Sequence, residues 1–303
     1  MARKLLTLLF VTVALGASAC GSSSSTESTA PAGSAPSTSA PDPCAAGSLQ
    51  TLESGKLTIG TDNPAFFPYF SGGAGHEWKG EFNNDPYTGE GFENAVAYAV
   101  AEQLGFTKDQ VTWSITPFNN SFKPGPKNFD VYLAQVSYSD KRAENTDLSD
   151  SYYDVNQAVV SLAGKPIASA ASIADLKGYK LGAQIGTTNF DFINATIQPD
   201  SEPQVYNSTN DAISALKGGQ IDGLVVDFPT AFYIANVQLD NGHLVGQFAA
   251  SPDTPEHFSF VLQKDSPLTD CVNQALTALR DDGTLGQLQQ QWLSDIAEAP
   301  VLQ

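Results

Sequence analysis

Three stretches of the chain combine charge-binding residue types with positions where such chemistry is usually done. The first runs from Phe129 to Tyr153, FDVYLAQVSYSDKRAENTDLSDSYY. Its apolar run, Val131 to Leu133, reads as a buried strand. A polar turn, Ser137 to Asp140, follows, and Lys141 to Glu144 forms one helical turn. Arg142 then stands just past the C-terminal end of a strand, where open α/β sheets place their ligand contacts. An arginine there also serves as a surface cation paired with Asp140 or Glu144, since structural charges outnumber functional ones. The second stretch, Gly186-Thr187-Thr188, opens a helix and offers free backbone N–H groups and a hydroxyl to an anion. Many αβ proteins cap helices in the same way without binding anything. In the third, Asp227 follows the buried strand Leu224-Val225-Val226 and precedes Phe228-Pro229-Thr230. It either caps the next helix or presents a carboxylate at a strand end.

Composition limits what these residues can serve. The 303 residues carry 15 basic and 33 acidic side chains, a formal charge of −18, which disfavours binding to a nucleic-acid backbone. Hydrophobic residues make up 41%, enough for a sizeable core. Beyond the N-terminus no apolar run is long enough to span a bilayer. His76-Glu77-Trp78-Lys79-Gly80 begins like a zinc-protease helix but lacks the second histidine. His76, His243 and His257 have no partners at metal-ligand spacing. No G-x-S-x-G elbow, Walker loop or G-x-G-x-x-G fingerprint occurs, so neither a cofactor nor a metal is expected.

The elements that must position the three stretches alternate between strands and helices. Lys56 to Asp62, Val111 to Thr116 and Phe129 to Leu133 read as strands. Between the first two lies a helix with Phe92, Val96, Ala99, Val100 and Leu104 on one stripe and Gly105 as its stop. After Gly164 the pattern restarts: a short helix over Ile173 to Gly178, then strands at Lys180 to Gln184, Gln204 to Tyr206 and Ile221 to Val226. A helix over Asp211 to Leu216 separates the last two. Two helices close the sequence, one after Ser266-Pro267 and one after Thr284. Strands separated by helices predict parallel sheets and an α/β fold.

The first stretch resembles the signature of the family 3 extracellular solute-binding proteins, the polar amino-acid receptors of ABC importers. Its turn Ser139-Asp140-Lys141-Arg142 is similar to the family's Thr/Ser-x-x-Arg turn, and Asp147 to Tyr153 to its "DFSDPYY" tail, with Leu148 and Ser151 as departures. Asp175 to Thr188 resembles "DLKGKKVGVQ" leading into "GTT", Asp227 lies in a "VVD-x-P" pattern, and the ending ALRDDGTLGQLQQQWL also matches. The resemblance spans about residues 49–297. It implies a type II periplasmic-binding-protein fold, with two α/β lobes around a cleft and two crossover strands. It further implies that Arg142, with Thr187, Thr188 and Ser137, holds a ligand's carboxylate while Asp227 meets its ammonium. Phe66 and Phe118 would sandwich the ligand side chain, and Asp62 and Glu93 align with family acids. Gln135 stands where small Ser or Gly residues are usual and is expected to narrow the pocket. The loop Ser71 to Gly91 is longer than typical and is expected to form a rim over the cleft. With the apolar runs Gln157 to Ala163 and Phe258 to Gln263 as crossings, residues 49–158 and 259–303 form lobe 1 and residues 159–258 form lobe 2.

On this reading the protein is a monomeric receptor that passes an amino acid to membrane permease subunits. Proteins of similar sequence in other classes are cyclohexadienyl dehydratases and ligand-sensing modules. Residues 1–19 read as an export signal, with Arg3 and Lys4 before an apolar stretch from Leu5 to Leu15. Ala17-Ser18-Ala19 before Cys20 looks like a bacterial lipobox, and also like an ordinary cleavage site. The Ser/Pro/Ala-rich segment 20–48 reads as a disordered tether, which favours lipid attachment at Cys20 and a place on the outer face of the cell membrane. The remaining cysteines, Cys44 and Cys271, are an even pair in an exported chain and are expected to form a bridge.

Overall fold

The computed structural model describes residues 43–45, 47–73, 84–250, 255–294 and 299–303. The expected export signal, Cys20, most of the expected tether and residues 74–83 of the long loop lie outside the described residues. The alternation in Lys56 to Asp62 becomes β1, Leu57–Thr61, with Leu57 and Ile59 fully buried. Helix α1, Phe92–Gln103, follows, and its stripe of Phe92, Val96 and Val100 is wholly out of solvent. Strands β2, Val111–Ile115, and β3, Val131–Tyr132, lie parallel to β1 on either side. Two short helices come next at strand ends: α2, Phe118–Ser121, after β2, and α3, Asp140–Ala143, after β3. Strand β4, Thr146–Leu148, forms the far edge of this sheet.

Two-residue strand β5, Tyr153–Asp154, then leaves the first lobe. The second lobe opens with β6, Gln157–Leu162, and continues with β7, Leu181–Gln184, and α4, Thr188–Phe192. Next come β8, Gln204–Tyr206, α5, Thr209–Lys217, and β9, Gly223–Asp227. Helix α6, Phe228–Tyr233, and β10, Gly242–Phe248, complete it. The chain returns through β11, His257–Phe258, which pairs antiparallel with β5. Strand β12, Val261–Gln263, then inserts between β3 and β4. Helices α7, Thr269–Asp281, and α8, Thr284–Leu293, pack on α1. Last is β13, Val301–Leu302, at the edge of the second sheet. The first sheet runs β2-β1-β3-β12-β4 and the second β13-β10-β6-β9-β7-β8.

Three placements differ from those expected. The run Gln157 to Ala163 is not a crossing but an interior strand. Ala158 and Val160 pack into one core of the second lobe and Val159 into the other, so the middle of the strand is apolar on both faces. The run Phe258 to Gln263 is split: Phe258 belongs to the β5–β11 ribbon between the lobes and Val261 to Gln263 to the first sheet. Residues 299–303 seat on the second lobe rather than the first. Val301 and Leu302 pair with Gln247 and Phe248, and Leu302 is buried in that lobe's core. Gly246 makes room for them, since a Cβ there would meet the Leu302 side chain and the Pro300 carbonyl at 2.8 Å.

Cys44 and Cys271 are joined, with their Cα atoms 5.3 Å apart, which ties the start of the described chain to α7. The bridge closes a 227-residue separation and so removes much freedom from the unfolded chain. Replacing both cysteines by serine is expected to cost about 2–4 kcal/mol. Thermal unfolding of the two proteins under non-reducing conditions measures this.

Candidate functional site

Between the lobes lies a cavity of about 70 Å³. A single water needs only ~10–15 Å³ by the same measure, so the space accepts a group several times larger. Of the expected site residues, Asp62, Phe66, Phe118, Gln135 and Arg142 reach it from the first lobe, and Thr187, Thr188 and Asp227 from the second. Glu93 and Ser137 are not among its lining residues.

Arg142 is placed by α3, whose N-cap Ser139 accepts a bond from the Arg142 backbone N–H at 3.3 Å. Its guanidinium is turned inward and only 6% exposed. It donates to the carbonyls of Ser137 and, across the cleft at 2.9 Å, Gly186. The rings of Phe118 and Phe122 stand 5.3 and 4.7 Å from its carbon. It is therefore a buried cation bonded to carbonyls, not a surface partner of Asp140 or Glu144. Burial lowers its pKa to about 10, against the pull of Asp227 and Glu256, so it stays charged at neutral pH.

The Gly-Thr-Thr turn folds as its residues dictate. Gly186 has φ 78°, a left-handed conformation that glycine adopts without strain, and the Asn119 side chain occupies the place of a Cβ. Thr187 caps α4, its hydroxyl accepting from Phe190 N–H at 3.3 Å and donating to the Gln184 carbonyl at 2.8 Å. Thr188 donates its hydroxyl proton to Glu256 at 2.5 Å, and Gln157 holds the other oxygen of that carboxylate at 2.6 Å.

Asp227 ends β9 and makes no capping bond to α6, which removes the simpler explanation for an acid at this position. Its carboxylate, 8% exposed, accepts from Asn189 at 3.0 Å. Burial, reinforced by the nearby charge of Glu256, holds its pKa well above the usual carboxylate range, while Asn189 and Arg142 oppose the shift. Asp62 accepts from the backbone N–H of Asn63 at 2.7 Å and of Phe118 at 3.2 Å, which ties it to the turn that carries the aromatic ring. Burial raises its pKa too.

Glu93 and Ser137 act from behind. The Ser137 carbonyl holds Arg142. Glu93 is fully buried on α1 and accepts from the Gln135 backbone N–H at 2.7 Å, the Gln135 side-chain amide and the Tyr152 hydroxyl. Burial outweighs these bonds and raises its pKa to about 7. Gln135 thus folds back onto Glu93 instead of extending across the pocket. Sequence reasoning missed Gln184, Asn189, Thr209 and Thr230 on the cavity wall, and Glu256 and Phe122 beside it. Asn189 was within reach, being on the first turn of the Gly-Thr-Thr helix; Glu256 sits in no recognisable motif. The lobes also touch through the Tyr69 and Thr230 hydroxyls at 3.3 Å and the Phe67 and Tyr233 rings at 4.9 Å. Among the described residues there is no acidic or histidine cluster able to hold a metal, and no helix long and apolar enough to cross a membrane.

The sequence profile of the bacterial extracellular solute-binding proteins, family 3, matches residues 78–295. The chain is 29% identical to the ABC transporter arginine-binding protein 1 of Escherichia coli K12 over 213 residues, 67% of this chain and 81% of that protein. It is 26% identical to the arginine-binding extracellular protein ArtP of Bacillus subtilis 168 over 208 residues, 67% of this chain and 78% of that one. Among solved structures, an ancestral arginine-binding protein bound to arginine superposes with a TM-score of 0.62 at 26% identity, covering 78% of this chain and 98% of the other.

A carboxyl whose pKa is raised by folding binds more protons in the native state than in the unfolded one. Between the two pKa values stability therefore falls as pH rises. Unfolding of the ligand-free protein is expected to become easier from about pH 4 towards neutrality, with a shallower slope in Asp227→Asn. Thermal unfolding across that range measures both slopes.

Proposed function

The chain belongs to the bacterial extracellular solute-binding proteins, family 3, and from that membership we propose that it captures an amino acid between its lobes and delivers it to an ABC permease. The observation that carries the reading is one buried guanidinium and one buried carboxylate reaching a single cavity from opposite lobes. A guanidinium has five N–H donors in a planar fork, so Arg142 can answer a carboxylate as well as its two carbonyls. The ammonium end of the same zwitterion suits Asp227. Phe66 and Phe118 then flank the side chain, with Asp62 beside them.

Asp62 and Asp227 line the cavity and Glu256 stands beside it, three acids to one arginine, and that balance favours a solute carrying an additional positive charge. The arginine-binding relatives support the same preference. A solute that contacts both lobes stabilises the closed state by its differential affinity, and the permease reads that state. No chemical step is required of the site, and the reading is of a receptor rather than an enzyme. Attachment through Cys20 at the outer face of the membrane completes the proposal.

A thermal-shift screen of the mature chain against the standard amino acids tests it. A true solute at ~1,000 times its Kd should stabilise by about 4 kcal/mol. Arg142→Ala and Asp227→Ala should each weaken binding by about 2–5 kcal/mol while the ligand-free proteins still fold. Affinity should rise with pH through the titration of Asp227 and then level, because the ammonium needs the ionised carboxylate; calorimetry would record proton release on binding. No shift with any amino acid, or turnover of arogenate or prephenate, would overturn the proposal.

A further inference from the structure

We propose that Glu93 is a positioning residue for the cleft: it touches no solute, but it clamps Gln135 in the conformation that keeps the cavity open. The inference rests on the cleft being the solute site. Gln135 is a cavity-lining residue with φ 53°, in the left-handed region that glutamine enters only at a cost. Both amide groups that define its pose, the backbone N–H and the side-chain NH₂, donate to the two oxygens of one carboxylate. That carboxylate is fully buried, and its third donor, the Tyr152 hydroxyl, comes from the segment leading into β5 and the inter-lobe ribbon.

The geometry makes the clamp specific. Released from Glu93, Gln135 would relax towards negative φ and swing its amide into a cavity of only about 70 Å³. Glycine at this position would need no clamp, because it populates positive φ as readily as negative. A long side chain at the cleft floor and a buried acid one layer behind it therefore form a single unit. Removing the acid alone should close space that the solute needs. Removing both should not.

The test is a double-mutant cycle on the mature chain with Glu93→Gln, Gln135→Gly and the pair, titrated calorimetrically with L-arginine and L-glutamine. A glutamine at position 93 keeps one acceptor and turns the other into a donor, so at least one donor of the trio loses its partner. Glu93→Gln is expected to weaken binding roughly tenfold or more in the wild-type background. In the Gln135→Gly background the same change should cost no more than about threefold. Equal losses in the two backgrounds, or no loss in the first, would overturn the proposal.

Amide hydrogen exchange on the ligand-free proteins separates this from the solute reading. The Gln135 N–H should be protected in the wild type and exchange at least about tenfold faster in Glu93→Gln. If the wild type binds neither amino acid but the exchange result holds, the solute reading fails and the clamp stands. Rapid exchange of that N–H in the wild type overturns the clamp, even if Glu93→Gln does not fold.

Discussion

A guanidinium taken almost wholly out of water loses a hydration shell that few protein groups can replace. Much of this structure near the cleft consists of the groups that replace it for Arg142. The carbonyl of Ser137 comes from the same strand end, and that of Gly186 from the opposite lobe. Two aromatic rings flank the charge, and Asp227 and Glu256 supply the opposing field. The carbonyls satisfy the fork's directionality without neutralising it. The carboxylates neutralise without bonding it. A cation held in this way retains attraction for a further anion, which is the property a receptor for small zwitterions requires.

The threonines of the Gly-Thr-Thr turn have other commitments. The Thr187 hydroxyl serves its own helix cap, and the Thr188 proton goes to Glu256. A carboxylate entering this end of the cleft would meet Arg142, backbone N–H groups and the lone pairs of the Thr188 oxygen. Glu256 stands one residue before the ribbon strand β11, so the carboxylate that engages Thr188 is carried by the segment about which the lobes would move. One hydrogen bond thus joins the cavity wall to the inter-lobe segment.

Sequence reading reached the elements well and the connections less well. Periodicity located β1, α1, β2, β7 and β9, each of which is largely buried, whereas β10 was not read as a strand. It misassigned Gln157 to Ala163 because a strand buried on both faces and a segment passing between lobes are equally apolar. Nothing local marked Val301 and Leu302 as an added strand; their partners lie more than fifty residues upstream, in β10. In the site, residues in turn-and-helix motifs were legible. Glu93 was singled out, yet its position behind Gln135 depends on which way a left-handed residue turns its side chain. Glu256 was invisible, since a lone acid before a strand has no pattern.

The disulfide and the last strand together have a further consequence. Cys44 is fixed to α7 on the first lobe, whereas Gln303 lies on the second, its carbonyl accepting from the Ile173 N–H at 3.1 Å. These two points therefore lie on different lobes. A pair of dyes attached near them would form a ruler between the lobes, reporting any change in their separation without a probe in the cleft itself.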